Sequence, residues 1–291
     1  MTVLRSLLFC PATEPEKVRK IPKYGADAAA IDLEDAVSDD QKTYAREVAY
    51  DLVSSELFAT NNVYVRVNSM GTDRTLDDVA AVVHPNLNGI VLPKTDDPES
   101  VAAVDEALTK AEAQAGIDQG SIKILPLIET GMGVHRAVDI FSASHRVEAG
   151  IFGFVDYMLD VGINMIDHTP DAQELLYARS SLVNASRVAG ITPPLDGPFL
   201  GIKSPEAFLA QCRQARTLGY RGKMLIHPTQ VKLSHQGFAP SPEEVAQAEN
   251  IVHAFAEGEN RGVAALMVDG RLVDYPIVYR AQNIIKAAQE Q

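Results

Sequence analysis

Cysteine, tryptophan and long apolar runs are scarce in this chain. Its 291 residues contain no tryptophan and two cysteines, Cys10 and Cys212, which lie far apart and without metal-ligand spacing. Such sparse cysteine excludes a disulfide framework and fits a reducing compartment. No run reaches the roughly 18 apolar residues of a membrane span, and the N-terminal segment is charged too early for a signal peptide. We therefore expect a soluble, cytoplasmic protein.

Positive charge is also in short supply. The chain has 26 basic and 39 acidic residues, a net charge of −13. This balance argues against a nucleic-acid or anionic-membrane partner, because both need a basic surface. It does not exclude an anionic small substrate, since a few local arginines and lysines bind one. A glycine-rich phosphate loop and a Ser/His/Asp order with a nucleophile elbow are both missing from the sequence.

Short apolar runs alternate along the chain with segments of helical pattern. The runs are 6–10, 28–35, 63–68, 89–94, 123–130, 150–156, 191–196 and 222–228. The seventh is the weakest, because Pro193 and Pro194 interrupt it. Eight buried strands alternating with helices predict an α/β fold, a (β/α)8 TIM barrel, with a doubly wound sheet as the alternative.

The pattern changes after the eighth run. Ser241–Glu244 has the proline and the early acids of a helix start. Asp269 and Gly270 predict the two-residue turn of a hairpin, and 277–290 predicts a last helix. We therefore expect a barrel over 1–235 and, over 236–291, a C-terminal extension of helix, hairpin and helix.

The fifth and sixth runs each carry a carboxylate at or beside their C-terminal end. Glu129 closes the fifth run and Asp156 the sixth. Because parallel strands end at one rim of a barrel, the two acids are expected to converge there. Two carboxylates, with water and substrate oxygens, suit Mg²⁺ or Mn²⁺. The sequence therefore predicts a divalent-metal pair, with two solvated strand-end acids as the alternative.

Other strand ends carry charge as well. Asp32, Glu34 and Asp35 lie at the end of the second run, Arg66 lies near the end of the third and Lys94 closes the fourth. Arg66 can hold a substrate carboxylate bidentately. We interpret the acidic cluster as orienting Arg66 and metal-bound water. The alternatives are that Arg66 only neutralises these acids and that Lys94 only pairs with one of them.

The ordered motifs resemble the citrate lyase β-subunit-like proteins of the HpcH/HpaI aldolase group. The matching segments, which span nearly the whole chain, are 5–9 with Pro11, 32–37, 65–68, 92–94, 128–130, 152–153 with 156–157, 177–180, 227–230 and 269–274. The resemblance implies a (β/α)8 barrel whose C-terminal extension reaches a neighbouring subunit. It also implies a homotrimer or a hexamer.

The resemblance assigns roles to residues of the rim. Glu129 and Asp156 match the Mg²⁺ ligands of the family. Arg66 matches the residue that binds the carboxylate of the oxo acid, and Gly153 and Glu129 match further substrate contacts. Asp274 matches the acid/base group that a neighbouring subunit supplies in the coenzyme-A lyases.

The resemblance leaves the thioester carrier open between coenzyme A and an acyl-carrier protein, and we favour coenzyme A. Arg5 and Lys94 are the candidate contacts to its phosphates. The expected reaction is a Mg²⁺-dependent, reversible Claisen-type cleavage of malyl-CoA or citramalyl-CoA into acetyl-CoA and a 2-oxo acid. Phe154 and Val155 depart from the Gly-Ala-Glu-Asp form common in the lyase β subunits.

Four other functions stay open at this point. They are a citrate lyase β subunit that acts on citryl-acyl-carrier protein, a malyl-CoA thioesterase, a class II aldolase for free hydroxy-oxo acids, and a catalytically silent scaffold. An acyl-carrier protein is a partner only in the first of these. The hairpin that carries Asp274 favours thioester chemistry over the aldolase.

Overall fold

The computed structural model describes residues 4–169, 171–260 and 262–289. Its contacts divide the chain into two compact units, Met1–Gly237 and Phe238–Gln291. The first unit contains a closed parallel barrel of eight strands in chain order, in which β8 pairs with β1. The barrel strands are β1 (Ser6–Pro11), β2 (Ala28–Asp32), β3 (Val63–Arg66), β4 (Gly89–Leu92), β5 (Lys123–Ile128), β6 (Ile151–Phe152), β7 (Leu195–Asp196) and β8 (Gly222–Leu225). The predicted TIM barrel is confirmed, and the doubly wound alternative is wrong.

Inward-facing side chains of the strands fill the barrel. The cluster includes Leu7, Ala28, Ala30, Tyr64, Val91, Leu125, Leu127, Ile151 and Leu195. Large and small residues face one another in it: a Cβ at Gly89 would lie 2.8 Å from the Tyr64 ring, so the glycine makes room for that ring. Such a filled interior is a packed core, and chemistry is left to the loops at its ends.

Helices follow the strands around the barrel. They are α1 (Pro15–Val18), α2 (Lys42–Val53), α3 (Thr75–Val82), α4 (Pro98–Ala115), α5 (Gly131–His135), α6 (Ala137–Ser142), α7 (Phe154–Asp160), α8 (Leu176–Ala189), α9 (Pro205–Leu218) and α10 (Thr229–Phe238). Turns of 3-10 helix lie at Ile21–Tyr24, Asp39–Gln41, Glu56–Ala59, Met165–Asp167 and Gln173–Leu175. Within the described residues, no helix is long and apolar enough to cross a membrane.

The segment 14–24 does not form one continuous helix. Its early acids and later basic residues predict a single helix, but α1 ends at Val18 and a separate 3-10 turn follows. Pro22 explains the break, because it lacks an N–H and its ring clashes with the carbonyl four residues earlier, that of Val18. Gly25 then closes the turn in the left-handed conformation, at φ 73°.

The sixth run is shorter as a strand than its apolar pattern indicated. Only Ile151 and Phe152 are extended, and Gly153 still donates its N–H to the Ile128 carbonyl at 2.9 Å. The chain then turns directly into α7. Asp156 therefore lies in the first turn of a helix and not at a strand end, as the run had suggested.

The second unit consists of a helix, a hairpin and a helix. They are α11 (Pro242–Glu259), β9 (Leu266–Val268), β10 (Arg271–Val273) and α12 (Tyr275–Gln289). Ser241 and Glu244 form a capping box at the start of α11. Asp269 and Gly270 both have positive φ, 47° and 74°, as the predicted two-residue turn requires. The predicted end of the last helix at Glu290 lies outside the described residues.

Candidate active site

Charged side chains gather at the C-terminal rim of the barrel. Asp32 is the last residue of β2, Arg66 is the last residue of β3, and Glu129 directly follows β5. All three are buried, with 2%, 7% and 2% of their surface exposed. Buried charge at strand ends is costly unless it is paired, so these residues are constrained by their partners.

Arg66 is held by Asp32. The Nε and Nη2 atoms of Arg66 donate to the two Asp32 oxygens at 2.7 and 2.6 Å. The same oxygens accept the N–H groups of Glu34, at 2.8 Å, and of Ala36, at 3.4 Å. Arg66 also lies over the Phe9 ring, 5.6 Å from its centroid. This fork geometry fixes the plane of the guanidinium.

Glu34 lies between two cations. One of its oxygens is 2.9 Å from Nη1 of Arg66, and the other accepts from Nζ of Lys94 at 2.8 Å. Asp35 is more exposed and lies farther out, 3.8 Å from Nη1 of Arg66. Burial raises the pKa of Glu34 above its ordinary value, although Arg66 and Lys94 oppose that shift.

The main chain of Lys94 holds Glu129. Its N–H donates to Oε1 of Glu129 at 2.7 Å. Lys94 has a φ of 47°, the left-handed region that non-glycine residues seldom adopt. A strained conformation of this kind persists where the surroundings demand it, often at functional sites. Sequence reasoning assigned a role only to the side chain of Lys94 and missed this contact.

Glu129 is poorly solvated and lies near another acid. Burial, followed by the nearby charges of Asp156 and Glu34, raises the pKa of Glu129 to about 8. A cation beside the two carboxylates would relieve both unfavourable effects. Among the described residues, no group of three or more His, Cys, Asp or Glu side chains could hold a metal ion. At this rim the described residues thus offer the carboxylates of Glu129 and Asp156, a donor set that fits an oxygen-preferring cation such as Mg²⁺ with other ligands from water or substrate.

Some predicted site residues lie elsewhere. Arg5 directly precedes β1 and so lies at the opposite rim, where its N–H donates to Asp27 at 2.7 Å. Asp274 belongs to the second unit and lies between β10 and α12. Phe154 is buried and stacks on the His168 ring with centroids 5.2 Å apart, so packing accounts for its bulk.

A second buried ion cluster was not foreseen. Asp196, the last residue of β7, accepts from Nε and Nη2 of Arg179 at 3.0 and 3.1 Å and from Nζ of Lys223 at 2.5 Å. Burial opposes ionisation, but Lys223 and Arg179 hold the pKa of Asp196 below its usual value. The available signal was a charged residue inside each of two apolar runs, which buried strands do not tolerate unpaired.

Comparison with known proteins agrees with this architecture. The family model described as HpcH/HpaI aldolase/citrate lyase matches residues 5–228. The chain is 32% identical over 284 residues to citrate lyase subunit beta of Leuconostoc mesenteroides subsp. cremoris, a match that covers 98% of this chain and 93% of the relative. It is 31% identical over 302 residues to the L-malyl-CoA/beta-methylmalyl-CoA lyase of Cereibacter sphaeroides, covering 98% and 94%.

Solved structures give the same result. Protein CitE from Mycobacterium tuberculosis, crystallised with magnesium, acetoacetate and coenzyme A, matches with a TM-score of 0.82 and 25% identity over 98% of both chains. The resemblance inferred from the sequence motifs is confirmed, together with the expectation of a carbon–carbon lyase. The chain belongs to the HpcH/HpaI aldolase/citrate lyase family.

Proposed function

We propose that this protein is a Mg²⁺-dependent lyase that cleaves a 3-hydroxy-dicarboxylyl-CoA thioester, such as malyl-CoA or citramalyl-CoA, into acetyl-CoA and a 2-oxo acid. The observation that carries the proposal is the gathering of Arg66 and the Glu129 carboxylate at one barrel rim, with Asp156 close enough to raise the pKa of Glu129. The malyl-CoA lyase relative and the magnesium and coenzyme A complex of CitE support it. A cytoplasmic location is part of the proposal.

Each rim residue has a task in this reaction. Glu129 and Asp156 would hold Mg²⁺, with Mn²⁺ as a substitute. When bound, the metal supplies Lewis-acid polarisation of the oxo-acid carbonyl. Arg66 binds the carboxylate of the oxo acid, and Asp32 keeps its guanidinium in plane. Gly153, whose missing Cβ leaves room for the Glu129 carboxylate, is the proposed further contact to the substrate together with Glu129.

Asp274 is the proposed acid/base group. In cleavage, the hydroxyl proton passes to solvent water, the O–H electrons form the carbonyl of the oxo acid, and the electrons of the breaking bond between C2 and C3 form the thioester enolate. Asp274 then donates a proton to that enolate carbon, and it removes the same proton in the condensing direction. We propose that Asp274 comes from a neighbouring subunit, which implies a homotrimer or a hexamer in which the C-terminal unit, expected over 236–291, acts as a lid.

Lys94 is the favoured candidate for a contact to a phosphate of coenzyme A. Its ammonium lies at the reactive rim and its side chain is 39% exposed. Arg5 was the other candidate. Its place at the opposite rim and its pairing with Asp27 make it the weaker of the two.

The test is a Mg²⁺-dependent assay with malyl-CoA and citramalyl-CoA that follows free thiol and 2-oxo acid together. Oxo acid without free thiol is the expected result. Free thiol without oxo acid would make the protein a thioesterase. Activity on free hydroxy-oxo acids alone would favour the aldolase, and failure to bind Mg²⁺ would favour a silent scaffold.

A citrate lyase β subunit is the second candidate. The near full-length match to citrate lyase subunit beta of Leuconostoc mesenteroides favours it. Its substrate would be citryl-acyl-carrier protein, and its product would be oxaloacetate. Release of oxaloacetate from the carrier-bound thioester, with no turnover of either CoA thioester, would select this candidate.

A further inference from the structure

The guanidinium nitrogens of Arg66 all contact carboxylates of the same chain. Nε and Nη2 face Asp32, and Nη1 lies 2.9 Å from Oε2 of Glu34. The Arg66 side chain is only 9% exposed. A substrate carboxylate would therefore meet a guanidinium whose remaining edge is taken by an acid of the same chain.

The two acids hold Arg66 unequally. Asp32 makes a bidentate, aligned pair, the strong form of an arginine–carboxylate contact. Oε2 of Glu34 is buried and has no aligned hydrogen bond, despite its short distance to Nη1. Glu34 is thus the partner that a better-aligned carboxylate would displace, while Asp32 keeps the guanidinium in place.

Lys94 offers Glu34 a second partner. Its Nζ is 2.8 Å from Oε1 of Glu34 and 3.4 Å from Oδ1 of Asp35. The main chain of Lys94 is fixed at the same time by its N–H contact to Glu129. Glu34 can therefore leave Nη1 and stay paired, without becoming a buried charge that lacks a partner.

We propose that Glu34 is an internal competitor for the substrate carboxylate at Arg66, and that Lys94 is the positioning residue that draws Glu34 aside. When the substrate binds, Nη1 exchanges Glu34 for the substrate carboxylate, and Glu34 keeps its contact with Lys94. No covalent bond changes. The nature of the incoming acid rests on the proposed function, and the exchange itself rests on the geometry.

Binding of pyruvate and glyoxylate to the full chain in excess MgCl₂, measured by calorimetry, tests the exchange. We expect Glu34→Gln to tighten binding by about three- to fivefold, the upper range for one weak ion pair, because the substrate no longer displaces a charged group from Nη1. We expect Lys94→Met to weaken binding by a similar factor. In the Glu34→Gln background, Lys94→Met should change little, because its effect acts through Glu34.

Controls separate exchange from general charge. Asp35→Asn removes the same charge from the same loop, but its contacts are longer, 3.8 Å to Nη1 of Arg66 and 3.4 Å to Nζ of Lys94, so its gain should be smaller. Glu106→Gln and Lys110→Met remove the two charges of an exposed pair on α4 and should leave the affinity unchanged. An equal gain in Asp35→Asn, or weaker binding in Glu34→Gln, would overturn the proposal.

A second measurement needs no substrate. Phenylglyoxal modifies accessible guanidinium groups, and peptide mass spectrometry reads the extent at Arg66. We expect faster modification in Glu34→Gln and slower modification in Lys94→Met, in variants whose thermal midpoints match the parent. An unchanged rate in Glu34→Gln would overturn the competition. If the modification rates change as expected but no variant binds an oxo acid, the competition at Arg66 is supported. That combination would count against the proposed function instead.

Discussion

Gly153 and Glu129 approach each other more closely than a side chain at position 153 would allow. A Cβ built on Gly153 would lie 2.5 Å from Oε2 and 2.6 Å from Cβ of Glu129. Real Cβ contacts are not that short, so one of the two residues would have to move. Gly153 therefore sets where the carboxylate of Glu129 can lie.

Gly153→Ala is expected to displace Glu129 and to weaken Mn²⁺ binding by at least about tenfold, since one of two protein ligands is disturbed. Electron paramagnetic resonance of free Mn²⁺ measures this directly. Gly71→Ala is the matched control, because a Cβ there would meet only Oγ of Ser69, at 3.9 Å. Equal Mn²⁺ affinity in both variants would contradict the assignment of Glu129 as a ligand.

Mg²⁺ affinity should depend on pH. Burial, Asp156 and Glu34 raise the pKa of Glu129 from 4.5 to about 8. Below that pH the folded metal-free protein holds a proton that the metal must displace, so affinity should rise by up to about tenfold per unit as the pH approaches 8. Calorimetry between pH 6 and pH 9 checks the slope.

The same shift affects the stability of the metal-free protein. Because the folded pKa lies above the unfolded one, the folded state holds the extra proton between pH 4.5 and about 8. Stability should therefore fall as the pH rises through this window. The Glu129→Gln variant has no ionisable side chain at position 129, so its stability should not fall with pH in this window. Thermal midpoints with a chelator present measure both proteins, and identical profiles would contradict the prediction.

The cluster of Asp196, Arg179 and Lys223 should matter for stability. Lys223→Met leaves Asp196 with one cation fewer in a buried site, which is expected to cost about 3–5 kcal/mol. Urea unfolding measures the loss. Lys110→Met, which removes an exposed lysine, is the control and should change stability little.

The stabilisation that this cluster provides should also depend on pH. The pKa of Asp196 is lowered in the folded state, so its stabilisation is present above the ordinary value of 3.8 and is lost as the pH falls through the lower folded value. Lys223→Met should therefore differ most from the parent near neutral pH. A difference that grows toward acid would show that the cluster does not stabilise through the charge of Asp196.

Asp274→Asn is expected to lower turnover by at least about a hundredfold, the contribution of a general acid/base. Mg²⁺ affinity should not change. If a neighbouring subunit supplies Asp274, the Asp274→Asn and Glu129→Gln variants should complement each other. Unfolding the two together and refolding the mixture should restore part of the activity, because some sites then combine an intact Glu129 with an intact Asp274. Near-full turnover of Asp274→Asn alone would remove this residue from the mechanism.

Local patterns were sufficient to predict many elements of both units. The helix over Pro98–Ala115 ends at Gly116, and the turn at Asp269 and Gly270 adopts the positive φ values that those residues favour. The predictions of a helix over 14–24 and of a strand over 150–156 were less accurate. In both, a backbone property of one residue, the ring of Pro22 or the turn at Gly153, outweighed an apolar pattern.

For the rim of the barrel, the sequence predicts which charged residues gather there but not how they pair. Parallel strands end together, so acids and an arginine after successive runs could be expected at one place before any coordinates were known. Which acid holds which cation could not be read in the same way. The bidentate Asp32–Arg66 pair and the shared position of Glu34 depend on side-chain geometry within a few tenths of an ångström.

By itself, the sequence determined the alternation of strands and helices and the family, because hydrophobic periodicity and turn residues act over short distances. The closed barrel, predicted beside a doubly wound sheet, was decided by the pairing of β8 with β1. Only the tertiary structure decided that the Lys94 N–H holds Glu129, that Gly153 borders the same carboxylate, and that Asp196 is neutralised by Arg179 and Lys223. These contacts join residues far apart in the chain. Burial changes their charge energies, and that burial exists only after the barrel has closed.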